Sequence, residues 1–228
     1  MTSDLFYTGA TLDEVESIVM RFHYSKRLPA NIQHIYTARN SGGLFGDFGE
    51  IQAAAFFCIP PTRWALPVLE LSRLVRLDSS SVKLTSLLSF SCKQLRLKGR
   101  NLLVSFADNT QNHHGGIYQA ASWNFDGKRE RSNDGVVVNG VFYPGRSCNA
   151  RWGTRSVEKL KEIHGIDAEP HFDDGKFLYW KPLNKRGQKM AADLGLKSKP
   201  YPKPATKANG ASSGGPGPLE QAGAERHA

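Results

Sequence analysis

Residues 101–108, with the sequence NLLVSFAD, restrict the fold of this chain more than any other segment. The run is apolar except for Ser105 and the residues at its two ends. It lacks the alternation of polar and apolar residues that marks a strand with one solvent-exposed face. A short continuous apolar run is typical of a strand buried on both faces, as in parallel sheets covered by helices. The flanking residues agree, since 80–99 predict a capped amphipathic helix and GGIYQAAS at 115–122 predicts a helix start. The segment therefore predicts an α/β protein.

Other segments predict the elements around this unit. Thr11 and Glu14 have capping-box spacing before a helical apolar repeat that ends near His23. Asn139-Gly140 predicts a hairpin turn, and SVEKLKEIHG predicts a short helix. Further strands are predicted at NIQHIYTA, IQAAAFFCI, VLELSRLVRLD and GKFLYWKPL. This order predicts one α/β domain with a mixed central sheet flanked by helices.

Positive charge is concentrated toward the C-terminus. The 228-residue chain has a formal net charge of +9, and the part from Lys181 onward holds nine basic and three acidic residues. Beyond about residue 195 the composition shifts to Gly, Ser, Pro and Ala, with few side chains that a core could bury. We therefore predict a folded domain at 1–185 and a disordered tail at 186–228, basic at first and then Gly/Ser/Pro-rich. Such a tail either binds a polyanion through its phosphates or only keeps the chain in solution.

The sequence has no feature of a membrane or secreted protein. No window approaches the length of apolar residues that a membrane span requires. The first residues, MTSDLFYTGATLDEVE, carry acids and no basic segment, which is unlike a signal peptide. Cys58, Cys92 and Cys148 are widely spaced with no CxxC pair, which favours reduced thiols. We expect a cytoplasmic protein.

Polar residues follow two of the predicted strands. The sequence contains no Walker A, HExxH or GxSxG motif. Arg73 and Arg76 lie on the strand that precedes the helix, and Ser105 and Asp108 lie at the end of the buried strand. Ligands of open α/β sheets bind beyond the carboxyl ends of strands, where a helix N-terminus can also hold a phosphate. A ligand site is therefore predicted at this edge.

Three separated blocks carry a more specific resemblance. HYSKRLP, ELSRLVRLDS and LLVSFADNTQNHHGGIYQAASW together resemble the phage Mom family of DNA-modification proteins over roughly residues 11–181. The order of long strand, helix, second strand and Tyr-bearing helix resembles the GNAT (acyl-CoA N-acyltransferase) fold. The resemblance implies a GNAT-like catalytic domain in the host cytoplasm. It also implies a transferase that converts adenine in double-stranded phage DNA to N6-carbamoylmethyl (acetamido) adenine, which shields the DNA from host restriction enzymes.

The resemblance also implies roles for individual residues. The catalytic candidates are His23, Tyr24, Asp108 and Tyr118, and the cofactor-binding candidates are Arg73 and Ser86. Asp108 would accept a proton from N6, and either Tyr24 or Tyr118 would stack on a flipped base or donate to an oxyanion. Each residue also has a structural alternative, such as a cap for Asp108 or Ser86 and a core position for Tyr118.

The donor and any metal stay open on the sequence. Acetyl-CoA is a candidate donor, but DSSSVKLTS lacks the Q/R-x-x-G-x-G/A pyrophosphate loop of ordinary GNAT enzymes. His23, His113, His114 and Asp108 contain the ligand types of a divalent iron site, although their spacing does not require one. Two other functions fit the sequence: a GNAT-like N-acetyltransferase of a protein or small amine, and a DNA-binding protein without enzymatic activity.

Overall fold

The computed structural model of the protein describes residues 5–23, 26–41, 48–60, 68–108 and 114–202. The strands are β1 (Leu5–Gly9), β2 (Ile32–Ser41), β3 (Phe48–Cys58), β4 (Val68–Arg76), β5 (Leu102–Ala107), β6 (Asn124–Lys128), β7 (Asn133–Val138), β8 (Val141–Pro144), β9 (Glu169–Phe172) and β10 (Phe177–Pro182). The helices are α1 (Leu12–Phe22), α2 (Leu84–Leu97), α3 (Gly116–Ala120), α4 (Gly145–Trp152), α5 (Val157–His164) and α6 (Lys185–Asp193).

Seven strands form the main sheet, in the order β1-β2-β3-β4-β5-β10-β6. Strands β4 and β5 pair in parallel, and the other neighbours pair antiparallel. Helix α2 connects the two parallel strands, and α3 follows β5. The predicted order of long strand, helix, parallel strand and Tyr-bearing helix is therefore present, and the prediction of a mixed α/β, GNAT-like fold is confirmed.

Strand β5 is buried on both faces of the sheet, as its apolar run predicts. Leu103 packs in the cluster that contains Leu87, Leu88 and Leu95 of α2. Val104 packs on the opposite face, in the cluster that contains Trp180 of β10 and Ala191 of α6. Each fully buried leucine of this kind stabilises the fold by roughly 1.5–3 kcal/mol. These two layers fix the position of the carboxyl end of β5.

Helix α1 covers the second face of the sheet beside β3 and β4. Val15, Ile18 and Val19 are buried and pack with apolar residues of β2, β3 and β4. The predicted capping box is present, because the Glu14 carboxylate accepts a hydrogen bond from the Thr11 backbone N–H at 2.8 Å. Glu14 also pairs with Arg39 of β2, which ties the start of α1 to the sheet. The helix ends at Phe22, so His23 follows directly at the sheet edge.

A second, smaller sheet was not predicted as a separate layer. Three strands form it in the order β8-β7-β9, and the predicted Asn139-Gly140 turn joins β7 to β8. Both turn residues have positive φ, +50° for Asn139 and +77° for Gly140, as a tight hairpin requires. Its own core contains Val136, Cys148 and Leu160, which α4 and α5 help to cover.

The folded chain extends beyond the predicted boundary at residue 185. Helix α6 begins at Lys185, and Ala191 and Leu196 are buried against β5 and β10. The following segment runs along β6, where the Lys199 backbone N–H donates to the Phe125 carbonyl at 2.7 Å. Part of the segment assigned to the tail is thus a helix and an edge segment of the main body, and residues 203–228 lie outside the described residues.

Much of the C-terminal positive charge is on this ordered part. Residues 181–202 contain six basic residues and one acidic residue. Lys185, Arg186 and Lys189 lie on the exposed side of α6, opposite the buried Gly187 and Ala191. Within the described ranges, no helix is both long enough and apolar enough to span a bilayer.

Candidate active site

Strands β4 and β5 separate at the carboxyl edge of the sheet and leave a cavity between them. Their parallel pairing ends at Glu70 with Val104, although β4 continues to Arg76 and β5 to Ala107. The space beyond the last pair is a cavity of about 520 Å³ that opens to solvent and is also lined by the end of α1, the start of α2 and the start of α3. Its lining consists of Phe22, His23, Leu71, Ser72, Leu74, Val75, Arg76, Leu84, Phe106, Ala107, Asp108, His114, Gly115, Gly116, Ile117 and Tyr118.

Three sequence-predicted catalytic residues line this cavity together. Asp108 directly follows β5 and is half-buried. His23 directly follows α1, is 8% exposed, and its backbone N–H donates to the Val19 carbonyl at 3.1 Å. Tyr118 reaches the cavity from α3 and is 9% exposed. A carboxylate, an imidazole and a phenol therefore line the same cavity. Groups of these types can transfer protons and bind an oxyanion.

Tyr118 is held at its ring by two aromatic neighbours and at its hydroxyl by a serine. Its ring centroid lies 5.3 Å from that of Trp123 and 5.0 Å from that of Tyr179. Its hydroxyl is hydrogen-bonded to the Ser105 hydroxyl at 2.8 Å. Two aromatic side chains therefore pack against the Tyr118 ring, and a hydroxyl contacts its phenol oxygen.

Gly115 shapes the wall between Asp108 and Tyr118. Its φ of +82° lies in the left-handed region, and a Cβ there would meet the Tyr179 ring at 2.3 Å. The close approach lets the Tyr179 hydroxyl donate to the His114 carbonyl at 2.7 Å. Burial raises the pKa of the Tyr179 phenol, so this donor keeps its proton at neutral pH. The sequence points to this requirement only through the Gly-Gly pair.

Arg73 and Ser86 do not line the cavity. The Arg73 guanidinium donates to the carbonyls of Ser72, at 2.7 Å, and Arg27, at 3.3 Å. Ser86 lies in the first turn of α2, and its backbone N–H donates to the Lys83 carbonyl at 2.9 Å. Arg76 is the β4 arginine that lines the cavity, and it also donates to the Val82 carbonyl at 3.2 Å.

The loop before α2 uses its own amides. The Ser80 N–H donates to the Leu77 carbonyl at 3.0 Å, and the Val82 N–H donates to the Ser80 hydroxyl at 3.2 Å. These groups and the Ser86 N–H point into the protein's own turns. These three amides therefore do not form a cradle for a pyrophosphate.

Two candidate residues, Tyr24 and His113, lie outside the described residues. In the part of the chain that the structure describes, no group of three or more His, Cys, Asp or Glu side chains is arranged to hold a metal ion. His23, Asp108 and the exposed His114 share the cavity lining without forming such a group.

Trp123 and Tyr179 are neighbours of Tyr118 that the sequence alone did not single out as site residues. Both are buried and pack against Tyr118. Trp123 ends the block that contains Asp108 and Tyr118, which is a local signal for its position. Tyr179 lies on β10, next to β5 in the sheet, and only the tertiary fold brings it to the site.

The fold and the cavity define a GNAT-like protein with a titratable site between its two parallel strands. A profile of the Mom protein family matches residues 7–203, and the chain belongs to that family. A search of curated proteins found no match.

Solved structures with similar folds are acetyltransferases of low sequence identity. A GNAT family N-acetyltransferase from Escherichia coli in complex with CoA has a TM-score of 0.47 and 10% identity, covering 82% of this chain and 86% of its own. An N-acetyltransferase from Staphylococcus aureus has a TM-score of 0.45 and 13% identity, covering 80% and 100%. A GNAT family acetyltransferase from Elizabethkingia anophelis with acetyl-CoA bound has a TM-score of 0.44 and 9% identity, covering 78% and 97%.

Proposed function

We propose that this protein transfers a carbamoylmethyl group to the N6 amine of adenine in double-stranded DNA. The modification would take place in the cytoplasm of a phage-infected host and protect phage DNA from restriction. One observation carries the proposal: in a member of the Mom family, His23 and the distant block that contains Asp108 and Tyr118 line a single cavity.

Asp108 is the proposed base. The N6 lone pair of adenine is delocalised into the ring, which makes the amine a poor nucleophile. A carboxylate that accepts a hydrogen bond from N6–H raises the electron density on nitrogen and takes the proton as the new N6–C bond forms. Asp108 is suited to this because it is half-buried at the end of β5, where the sheet fixes its backbone.

His23 and Tyr118 are proposed to serve the other charges of the reaction. The Tyr118 hydroxyl would donate to oxygen that becomes negative in the transition state. His23 lies in the same lining at the end of α1 and would carry a proton to or from the site. The target base must leave the helix stack to reach these groups. Phe22 is 36% exposed in the lining and offers an apolar wall for that base.

The donor is proposed to lie in the cleft between β4 and β5. Carbamoylmethylation joins N6 to the CH2 carbon, so the donor must carry a leaving group on that carbon. The thioester of acetyl-CoA activates the carbonyl carbon instead and contains no amide nitrogen, so acetyl-CoA alone would not supply the group. Leu71, Ser72 and Leu74 line the β4 side of this cleft and would hold the carbamoylmethyl group near Asp108.

Double-stranded DNA is the proposed partner, and cations near the cavity support this. Arg76 lines the cavity, and Arg21 and Lys83 adjoin lining residues on α1 and α2. The Arg73 guanidinium lies beside β4, where it contacts the backbone carbonyl of Arg27. Arginine and lysine side chains bind DNA phosphates, with an affinity that falls as salt rises.

Nucleoside mass spectrometry tests the proposal. DNA from cells that express the wild-type chain should contain a deoxyadenosine heavier by one carbamoylmethyl group, and Asp108→Asn should abolish it. Asp78→Asn is the matched control, because Asp78 is an exposed carboxylate outside the cavity lining and its loss should leave the product unchanged. Unmodified deoxyadenosine in cells with abundant folded wild-type protein would contradict the proposal. Acetylated amines on proteins in the same cells would favour an N-acetyltransferase instead.

A further inference from the structure

Ser105 is a fully buried hydroxyl at the point where β4 and β5 separate. Its relative exposure is 0%. The parallel register runs Val68 with Leu102, Leu69 with Leu103 and Glu70 with Val104, so the next pair along the two strands would be Leu71 with Ser105. At Leu71 and Ser105 a side-chain hydrogen bond takes the place of the backbone pairing: the Ser105 Oγ lies 2.8 Å from the Leu71 carbonyl oxygen.

The same hydroxyl contacts the phenol of Tyr118. The Ser105 Oγ lies 2.8 Å from the Tyr118 Oη. A serine hydroxyl carries one hydrogen and a carbonyl oxygen only accepts. The arrangement that satisfies both contacts therefore has Ser105 donating to the Leu71 carbonyl and Tyr118 donating to Ser105. In this arrangement the phenol proton points toward the vertex of the two strands.

We propose that Ser105 is a positioning residue that orients the Tyr118 hydroxyl and exchanges hydrogen bonds with it during the reaction. When Tyr118 turns its proton to an oxyanion in the cavity, the Ser105 hydroxyl turns from the Leu71 carbonyl and donates to the Tyr118 oxygen. No covalent bond changes in this exchange, and two hydrogen bonds are present before and after it, because the Leu71 carbonyl gives up its donor while the oxyanion gains one. The inference rests on the proposed function only for the identity of the reaction.

The surroundings suit this role. Trp123 and Tyr179 pack against the Tyr118 ring, so a turn of the hydroxyl proton needs less rearrangement than a movement of the ring. Ser105 is on the rigid central strand, whose neighbours Val104 and Leu103 are fully buried. A rotating proton on a fixed serine can therefore redirect the phenol without moving heavy atoms.

A double-mutant cycle tests the inference. Ser105→Ala should lower kcat for DNA modification by roughly tenfold to hundredfold with little change in KM, since misorientation of a catalytic group has losses of this order. Ser105→Thr keeps the hydroxyl and should retain most of kcat. The double variant of Ser105→Ala with Tyr118→Phe should be no slower than Tyr118→Phe alone, because Ser105 acts through the phenol.

Ser91→Ala is the matched control. Ser91 is also a fully buried serine whose hydroxyl donates to a carbonyl, that of Leu87 at 2.7 Å, but it lies in α2 away from the cavity lining. Its replacement should change kcat by less than about twofold. Losses in Ser105→Ala and Tyr118→Phe that multiply in the double variant would overturn the inference, as would an equal loss of kcat in Ser91→Ala.

The same double-mutant cycle, measured by thermal unfolding instead of by kcat, separates this inference from the proposed function. If wild-type protein makes no modified deoxyadenosine, the proposed function fails, but the Ser105–Tyr118 contact still predicts that the Tm loss of the double variant is smaller than the sum of the two single losses. Additive Tm losses would overturn the contact itself, whatever the reaction.

Discussion

Replacement of Gly115 by alanine tests how the wall of the cavity is built. Gly115 has φ of +82°, and an added Cβ would lie 2.3 to 2.5 Å from the Cε2, Cζ and Oη atoms of Tyr179. The left-handed backbone alone costs an alanine about 1–2 kcal/mol. The clash adds about 1–3 kcal/mol, because Tyr179 is fully buried and is held by its bond to the His114 carbonyl. We expect Gly115→Ala to lower the free energy of unfolding by about 2–5 kcal/mol.

Two other glycines separate these contributions. Gly153 has φ of +70° with nothing within 4 Å of an added Cβ, so Gly153→Ala should lose only the backbone contribution of about 1–2 kcal/mol. Gly116 begins α3 and an added Cβ would meet only the exposed His114 ring, at 3.2 Å, so Gly116→Ala should lose less than either. Urea unfolding followed by circular dichroism gives the three values. A Gly115→Ala loss no greater than that of Gly153→Ala would refute the account of the Tyr179 contact.

Three further predictions concern the body of the protein. Truncation after Pro202 should leave Tm within a few degrees of the full chain. Truncation after Leu183 removes α6 and the buried Leu196, so it should lower Tm sharply. Equal Tm values for the two truncations would contradict the packing of the segment 184–202 on the main sheet. Burial and the neighbouring Arg100 lower the pKa of His34 below 6.5, so the unfolded state takes up the proton more readily, and stability should fall as pH drops from about 7.5 to 5.5. His34→Gln should flatten this dependence of Tm on pH, and an unchanged slope would count against it. Burial raises the pKa of Cys92 to about 11, so its thiol should react with maleimide at pH 7.5 far more slowly in folded than in urea-unfolded protein.

The elements that carry their own patterns could be predicted from the sequence. Helices α1 and α2 show apolar residues at helical spacing between caps and stops, and β5 shows a run that only a doubly covered strand explains. Strand β1 was not predicted, because it is a short edge strand whose residues are only half-buried. Helix α6 was assigned to the tail because its charges are near one another in sequence, whereas its burial depends on contacts with β5 and β10.

The residues of the site that follow directly after a patterned strand could also be predicted from the sequence. Asp108 follows from the rule that ligands bind at the carboxyl ends of strands, and Tyr118 follows in the same block. Which β4 side chains reach the cavity depends on a bulge, where Phe56 pairs with Arg73 while Phe57 pairs with Leu71. A one-residue shift in register reverses the facing of side chains and leaves no signal in the sequence. The sequence brings both Arg73 and Arg76 to this edge, and only the structure shows that Arg76, not Arg73, lines the cavity.

The central claim is that the N6 amine of adenine in DNA accepts the transferred group. A competition between DNA and peptide amines tests this claim most directly. Purified protein would be incubated with a donor-containing cell extract, duplex DNA and a pool of peptides with free amines. Mass spectrometry of nucleosides and peptides then shows where the new group resides. The account predicts N6-carbamoylmethyl deoxyadenosine with wild-type protein, none with Asp108→Asn, and unmodified peptides in both. Acylated peptide amines together with unmodified deoxyadenosine would contradict it.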